Sequence, residues 1–205
     1  LVSGSDYPKL QEQVPSHILD KCRGVYACSG AEYREKGFEL YSKQHRFTDR
    51  LITKCSEFVE NSGYEMQTGN HLEFRPGMLN VSTVGRNASP VERKAYHLWD
   101  HLHKERANLV DEINASEPDY EASAGGEISV DIVPKGWNKS VVKRHVLEQH
   151  PAARLFFFGD RIIPGGNDLA LADALDDGTE RHGSHCVENY LETWRMLETR
   201  EAEKQ

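Results

Sequence analysis

Long apolar runs are missing from the 205-residue sequence. A membrane-spanning helix needs roughly 18 consecutive apolar residues, whereas blocks such as Leu155-Phe156-Phe157-Phe158 are only strand-sized. Mean hydropathy is −0.68, and no membrane association is expected. Cysteine is scarce. Cys22, Cys28, Cys55 and Cys186 are scattered, with no CxxC pair, which excludes a dense disulfide framework and points to a reduced, cytoplasmic chain. Basic charge is in deficit: 25 Lys and Arg face 33 Asp and Glu, leaving a net charge of −8. That balance argues against nucleic acid or an anionic membrane as a partner. Internal repeats and low-complexity segments are absent as well. An apolar fraction of 38 % is enough for the core of one large domain or two small ones. The first residue is Leu, and Leu1-Val2 followed by Ser3-Gly4 reads as the end of a strand running into a turn. The sequence is therefore expected to continue upstream. The N-x-S patterns at Asn80, Asn87, Asn114 and Asn138 carry no weight without secretion.

The patterning that is present alternates strand and helix at the two ends of the chain. Ser5 or Asp6 can cap a helix running to about Val14, with Pro8 in its first turn. Val25-Tyr26-Ala27 reads as a short strand. Leu51, Ile52, Cys55, Phe58 and Val59 recur at helical spacing over Thr48 to Asn61. Pro76-Gly77 joins two strands, His71 to Arg75 and Met78 to Val84, into a hairpin. Ser89-Pro90-Val91-Glu92 is a capping box, expected to launch one long helix to about Asn114. Ile128, Val130 and Ile132 alternate with Ser129 and Asp131 along a strand. Asn138 is expected to cap a helix to Gln149, and Asn167 one from Asp168 to Leu175. Leu155 to Phe158 between them suits a parallel strand covered on both faces. A last helix from Tyr190 to Glu198 precedes a charged, frayed tail, Thr199 to Gln205. The fold class is α/β: a parallel core sheet interrupted by an inserted α+β domain.

Several residues carry chemistry. Asp160 ends the Leu155–Phe158 strand, where ligands of parallel sheets gather, and its carboxylate suits a hard cation; it also suits a plain turn. Gly165-Gly166-Asn167-Asp168 combines a loop of free backbone approach with short polar groups at a helix start. Ser5 offers a hydroxyl beside helix N–H groups, as an anion site or a simple cap. Lys139 stands at a helix start against the dipole preference, serving an anion or lying on the surface. Arg75, Arg86 and Arg93 can converge on one end of the hairpin, as a phosphate grip or as three solvated charges. Ser129 and Asp131 share a strand face able to bind sugar hydroxyls or simply to meet water. His97 and His101 have the spacing of a helical zinc pair, with His103 nearby, but lack a partner ligand.

The block Glu73-Phe74-Arg75-Pro76-Gly77-Met78-Leu79-Asn80-Val81-Ser82, continuing into Val84-Gly85-Arg86, joins four further blocks in a familiar set: Gly125 to Asp131, Pro134 to Lys139, Phe157-Phe158-Gly159-Asp160 and Gly165 to Asp168. Together they resemble the eukaryotic-type phosphomannomutases of the haloacid dehalogenase superfamily, from Leu1 to about Gly183. The resemblance implies a Rossmann-like core of residues 1–39 and 136–205, its first strand missing, and a cap of the type IIB class over residues 40–135. It implies interconversion of mannose 6-phosphate and mannose 1-phosphate through an aspartyl-phosphate, in mannose metabolism leading to GDP-mannose. It implies Mg²⁺, a hexose 1,6-bisphosphate activator, a phosphorylated hexose substrate and a homodimer formed through the cap. Position by position, Arg75, Arg86 and Arg93 match the arginines that grip the distal phosphate, and Ser129 and Asp131 the pair on the hexose. Ser5 matches the hydroxyl at the transferring phosphoryl, Lys139 the neutralising lysine and Asp160 the metal-shell carboxylate. Asp168 lies in the same acidic loop and is taken as a second metal residue.

Two departures stand out. The family's Asp-x-Asp-Gly-Thr block, which holds the nucleophile and its acid/base partner, does not occur in these residues. The 205 residues alone are therefore expected to be inactive. The loop from Asp173 to His182, where the family binds a structural cation, diverges, leaving Asp176 and Thr179 as candidates. Two alternatives remain: a sugar-phosphate phosphatase of the same superfamily, and a non-catalytic binding or dimerisation module.

Overall fold

The computed structural model describes residues 1–202. The chain forms two compact units, Leu1–Asn138 and Lys139–Gln205.

The first unit opens with α1 (Tyr7–Gln13) and α2 (Ser16–Leu19), then β1 (Val25–Ala27), β2 (Glu32–Glu35) and β3 (Phe38–Ser42), paired in that order as an antiparallel sheet. Val2 bridges Tyr26 in parallel. Asp6, not Ser5, caps α1, accepting from the Lys9 amide. The β2–β3 hairpin, which sequence patterning does not foresee, turns on Lys36 and Gly37, both at positive φ (49° and 82°), as a two-residue type I′ turn requires.

The rest of this unit comprises α3 (Asp49–Glu60), β4 (Leu72–Arg75), β5 (Met78–Val81), α4 (Pro90–His103), α5 (Glu105–Ser116), β6 (Tyr120–Gly125) and β7 (Ser129–Pro134). The strands form an antiparallel sheet ordered β4-β5-β7-β6. One face is apolar: Leu79, Val81, Val130, Ile132, Tyr120 and Ala122 pack against Leu51, Cys55 and Val59 of α3 and Leu109 and Ile113 of α5. Truncating a fully buried leucine such as Leu109 to alanine costs about 3 kcal/mol in such a setting. The expected hairpin and the capping box are both present, Ser89 accepting from the Glu92 amide while Glu92 accepts from that of Ser89. The single long helix is not: Lys104 adopts the left-handed conformation (φ 58°) and divides it. Asp100 then accepts from the Arg106 amide at 2.9 Å and from Arg106 Nε at 2.8 Å, restarting the helix. Leu102, before the break, is 77 % exposed, while Leu109 and Ile113 beyond it are buried. Glu105, in the new first turn, is buried and accepts from the hydroxyls of Ser62, Thr83 and Tyr96.

The second unit contains α6 (Val141–Gln149), β8 (Phe156–Gly159), α7 (Leu169–Leu175), β9 (Gly183–Cys186) and α8 (Tyr190–Ala202), with β8 and β9 parallel. Ser140, not Asn138, occupies the cap position of α6, and Asn138 instead donates to Glu121. Asp168, not Asn167, occupies that of α7. Phe156 is exposed and Phe157 and Phe158 are half-buried, so β8 is less covered than its apolar run suggests. Helix α8 runs through Thr199, where the charged sequence suggests fraying, and positions 203–205 of that tail lie outside the described residues. No helix among the described residues is long and apolar enough to cross a membrane. The four cysteines are free thiols; burial pushes Cys28 and Cys55 up to about 12, so both stay protonated and unreactive.

Candidate functional site

The opposite face of the β4-β5-β7-β6 sheet is polar, and the period-2 alternation of its strands makes it so. Glu73 pairs with Asn80, Asn80 with Asp131, and Asp131 with Ser123, giving one row across four strands. Arg75 lies two residues beyond Glu73 on β4, and Ser129 two residues before Asp131 on β7. Ser129 and Asp131 do not simply meet water: both are buried. Asn80 Nδ2 donates to Asp131 Oδ1 at 2.6 Å, and Ser129 Oγ donates to Gly125 O at 3.1 Å. A Cβ at Gly125 would lie 2.6 Å from Asp131 Oδ2; only glycine leaves that carboxylate its place.

The arginines gather at this face. Arg75 donates from Nε to Glu73 Oε2 at 2.7 Å and from Nη1 to Gly4 O at 3.5 Å, and its Nε lies 3.8 Å from Asp6 Oδ2. Arg86 Nε is 3.5 Å from Glu73 Oε2, yet buried without a hydrogen bond. Burial first, then the neighbouring charges of Arg75 and Arg93, hold the Arg86 guanidinium below its ordinary value, against the pull of Glu73 and Asp131. Arg93 donates to the carbonyls of Ala88 (2.8 Å) and Arg86 (2.7 Å), fixing the loop that carries Arg86. Arg106, which no motif or spacing singles out, donates to Gly126 O (3.0 Å) and Ser129 O (3.5 Å). It secures the turn leading into Ser129 while its charge is met by Asp100.

Ser5 sits beside the Gly4 carbonyl that Arg75 reaches, so these two predicted residues are neighbours. At the adjoining helix start the Asp6 carboxylate accepts from the Lys9 amide.

In the second unit Lys139 is buried, and its Nζ donates to Asp168 Oδ1 at 2.6 Å and Asn167 Oδ1 at 3.2 Å. The anion that its position called for is therefore supplied by the chain itself. Asp168 Oδ2 accepts from the Arg161 amide at 3.1 Å. Gly159 makes room for this arrangement: a Cβ there would lie 2.7 Å from Asp168 Oδ2. Gly166 does the same for the loop, since its Cβ would meet the Arg161 carbonyl. Asp160 is exposed at the carboxyl end of β8. A Mg²⁺ fits these residues at one corner only. Asp160 offers a carboxylate, but both oxygens of Asp168 are engaged, and no group of three His, Cys, Asp or Glu able to hold a metal occurs among the described residues. The His97–His101 pair likewise gathers no third ligand; His97 meets Glu127 O, and His103 stacks on Trp99 at 4.0 Å. In the diverged loop, Lys143 Nζ donates to Ala174 O (2.6 Å) and Asp177 Oδ2 (2.8 Å). Thr179 donates to Asp177 Oδ1 rather than standing open to a cation.

The "Haloacid dehalogenase-like hydrolase" structure from Bacteroides thetaiotaomicron shares the fold alone, with a TM-score of 0.50 at 12 % identity over 85 % of this chain and 72 % of that one. A phosphomannomutase of Saccharomyces cerevisiae is 35 % identical over 204 residues, covering 96 % of this chain and 78 % of that protein. Another, from Schizosaccharomyces pombe, is 34 % identical over 181 residues, covering 83 % and 70 %. The family model described as eukaryotic phosphomannomutase matches residues 1–199, and with that match spanning both units the chain belongs to the eukaryotic phosphomannomutase family.

Proposed function

We propose that this chain binds mannose 6-phosphate and mannose 1-phosphate and serves their interconversion by phosphoryl transfer. One observation carries the reading: Arg86 is a half-buried cation crowded by Arg75 and Arg93, with a buried Nε–H that no acceptor meets. Such a group is completed by an incoming anion, and phosphate oxygens match guanidinium donors in geometry and charge. Ser129 and Asp131 on the same sheet face add groups that bind hydroxyls, which favours a sugar phosphate over bare phosphate. In this reading residues 40–135 act as the cap, and residues 1–39 and 136–205 as the core.

Transfer of a phosphoryl group is mostly positioning and charge neutralisation. Lys139 has three N–H donors and spends two on Asn167 and Asp168, leaving one for a phosphoryl oxygen. Ser5 is proposed as a hydroxyl donor to a phosphoryl oxygen. Asp160 is the protein ligand proposed for Mg²⁺, which when bound neutralises charge on the transferring phosphoryl; a hexose 1,6-bisphosphate is the proposed activator. Asp168, engaged by Lys139, orients that lysine.

The proposed homodimer rests on α4, whose Val91, Ala95, Leu98 and Leu102 form an exposed apolar stripe at helical spacing. Replacing Leu98 and Leu102 by Glu converts a dimer to a monomer in sedimentation experiments; a wild-type monomer overturns this part alone.

Calorimetric titration with mannose 1-phosphate tests the functional reading. Wild type binds, and Arg86→Ala weakens binding about a hundredfold, the scale of a lost charge-assisted contact. Equal affinity in the two proteins overturns it.

A further inference from the structure

We infer that Asn80 and Ser82 contact the hexose of the sugar phosphate, alongside Ser129 and Asp131; this rests on the functional reading above. Asn80-Val81-Ser82 is one of the N-x-S patterns in the sequence. In the structure it has a different meaning: on a strand, residues two apart point to the same face. Asn80 therefore lies on the polar face of β5, the strand between β4 and β7, and Ser82, one residue past its end, follows in the same phase, its amide donating to His71 O. Asn80 pairs with Glu73 on one side and Asp131 on the other. The β5–β7 register pairs Val81 with Val130, and one further step sets Ser82 opposite Ser129.

Both residues are almost fully buried, Asn80 at 2 % exposed and Ser82 at 1 %. Even so, Asn80 Oδ1 and Ser82 Oγ have no hydrogen-bond partner among the described residues. Buried polar atoms in folded proteins are nearly always paired, and an exception calls for a reason. Here the unpaired atoms share one sheet face with Arg86 Nε, a third unpaired buried atom. Their chemistry is complementary to one class of ligand. Asn80 Oδ1 only accepts, Ser82 Oγ donates or accepts, and the guanidinium only donates. Adjacent sugar hydroxyls answer the first two, and a phosphate the third. Asn80 also acts on its neighbour, because its Nδ2 holds Asp131 Oδ1 at 2.6 Å. The same amide thus aims the carboxylate and offers an oxygen to the sugar.

Calorimetry on the full chain, with mannose 1-phosphate and inorganic phosphate as separate probes, tests this. In Ser82→Ala, affinity for mannose 1-phosphate falls about fivefold, one neutral hydrogen bond, while affinity for inorganic phosphate stays within about twofold. Thermal stability is unchanged or rises, because an unpaired buried hydroxyl has been removed. A merely structural residue would move stability and leave the ratio of the two affinities alone. Asn80→Ala lowers mannose 1-phosphate affinity further, about tenfold, by also releasing Asp131. Should that variant fail to fold, Ser82→Ala decides alone. Unchanged mannose 1-phosphate affinity in Ser82→Ala overturns the inference and makes a trapped water the partner of these atoms. Wild type that binds the two probes equally overturns it while leaving the arginine grip standing. Wild type that binds neither overturns the functional reading as well.

Discussion

Lys139 and Arg86 are both basic side chains held largely out of water, and they are kept there by different means. Lys139 has its counter-ion built in, Asp168 at 2.6 Å, with Asn167 as a second acceptor. Arg86 has a distant, shared carboxylate, Glu73, whose Oε2 also serves Arg75, with Asp131 a weaker pull beyond it, and two further arginines crowd it. The first arrangement has its charge met without a ligand. The second is left short of negative charge, and the shortage lies on the sheet face that carries Ser129 and Asp131. These two cations thus separate a group already neutralised from one that awaits its partner.

Breaking the complete pair gives the largest effect. Asp168→Ala leaves Lys139 buried and unpaired, and a loss of about 3–5 kcal/mol is expected in urea unfolding. Adding Lys139→Met to that variant recovers most of the loss; a cost below about 1 kcal/mol for the single change would make the pair incidental. Supplying the missing anion at the other site comes next. Inorganic phosphate at about a hundred times its dissociation constant stabilises wild type by about 2.7 kcal/mol, read as a rise in melting temperature. Arg86→Ala shows little of that rise and, without phosphate, is at least as stable as wild type. Equal rises in both proteins would erase the contrast. The smallest effect concerns an exposed ion pair. Lys143 and Thr179 hydrogen bonds hold the Asp177 carboxyl well below its ordinary value. A carboxyl depressed in the folded state adds stability above the ordinary value of about 3.9 and loses it as pH falls further. The difference in melting temperature between wild type and Asp177→Asn is therefore present at neutral pH and closes in acid. A difference that persists below that range would contradict the assignment.

Local chemistry makes much of the fold legible. Pro76-Gly77 announces its hairpin because Gly77 takes the positive φ (58°) that the turn needs, and Ser89 with Glu92 announces a helix start because both side chains cap it. The apolar alternation of Ile128, Val130 and Ile132 gives β7 its face. Non-local effects are hidden. Nothing in the composition around Lys104 signals a break, since no Gly or Pro stands there; the cause is Asp100 reaching forward to Arg106. The hairpin at Lys36-Gly37 lies among charged residues whose strands carry little apolar alternation. The arginines and the Ser129–Asp131 pair are readable because hairpin and strand phases determine which way they point. The partner of Lys139 is not, because Asp168 lies 29 residues away. Asn80 and Ser82 escape notice because their distinguishing property, a buried oxygen without a partner, exists only once the strands have paired.

Gly125 and Gly159 carry a lesson about vulnerability. Each lies against a carboxylate that matters, Asp131 in one case and Asp168 in the other, with no room for even one more carbon. A methyl group added at either position would shove an acid aside while leaving every charged residue of the chain unaltered. The smallest side chains here are thus as unforgiving of replacement as the ionised ones they stand beside.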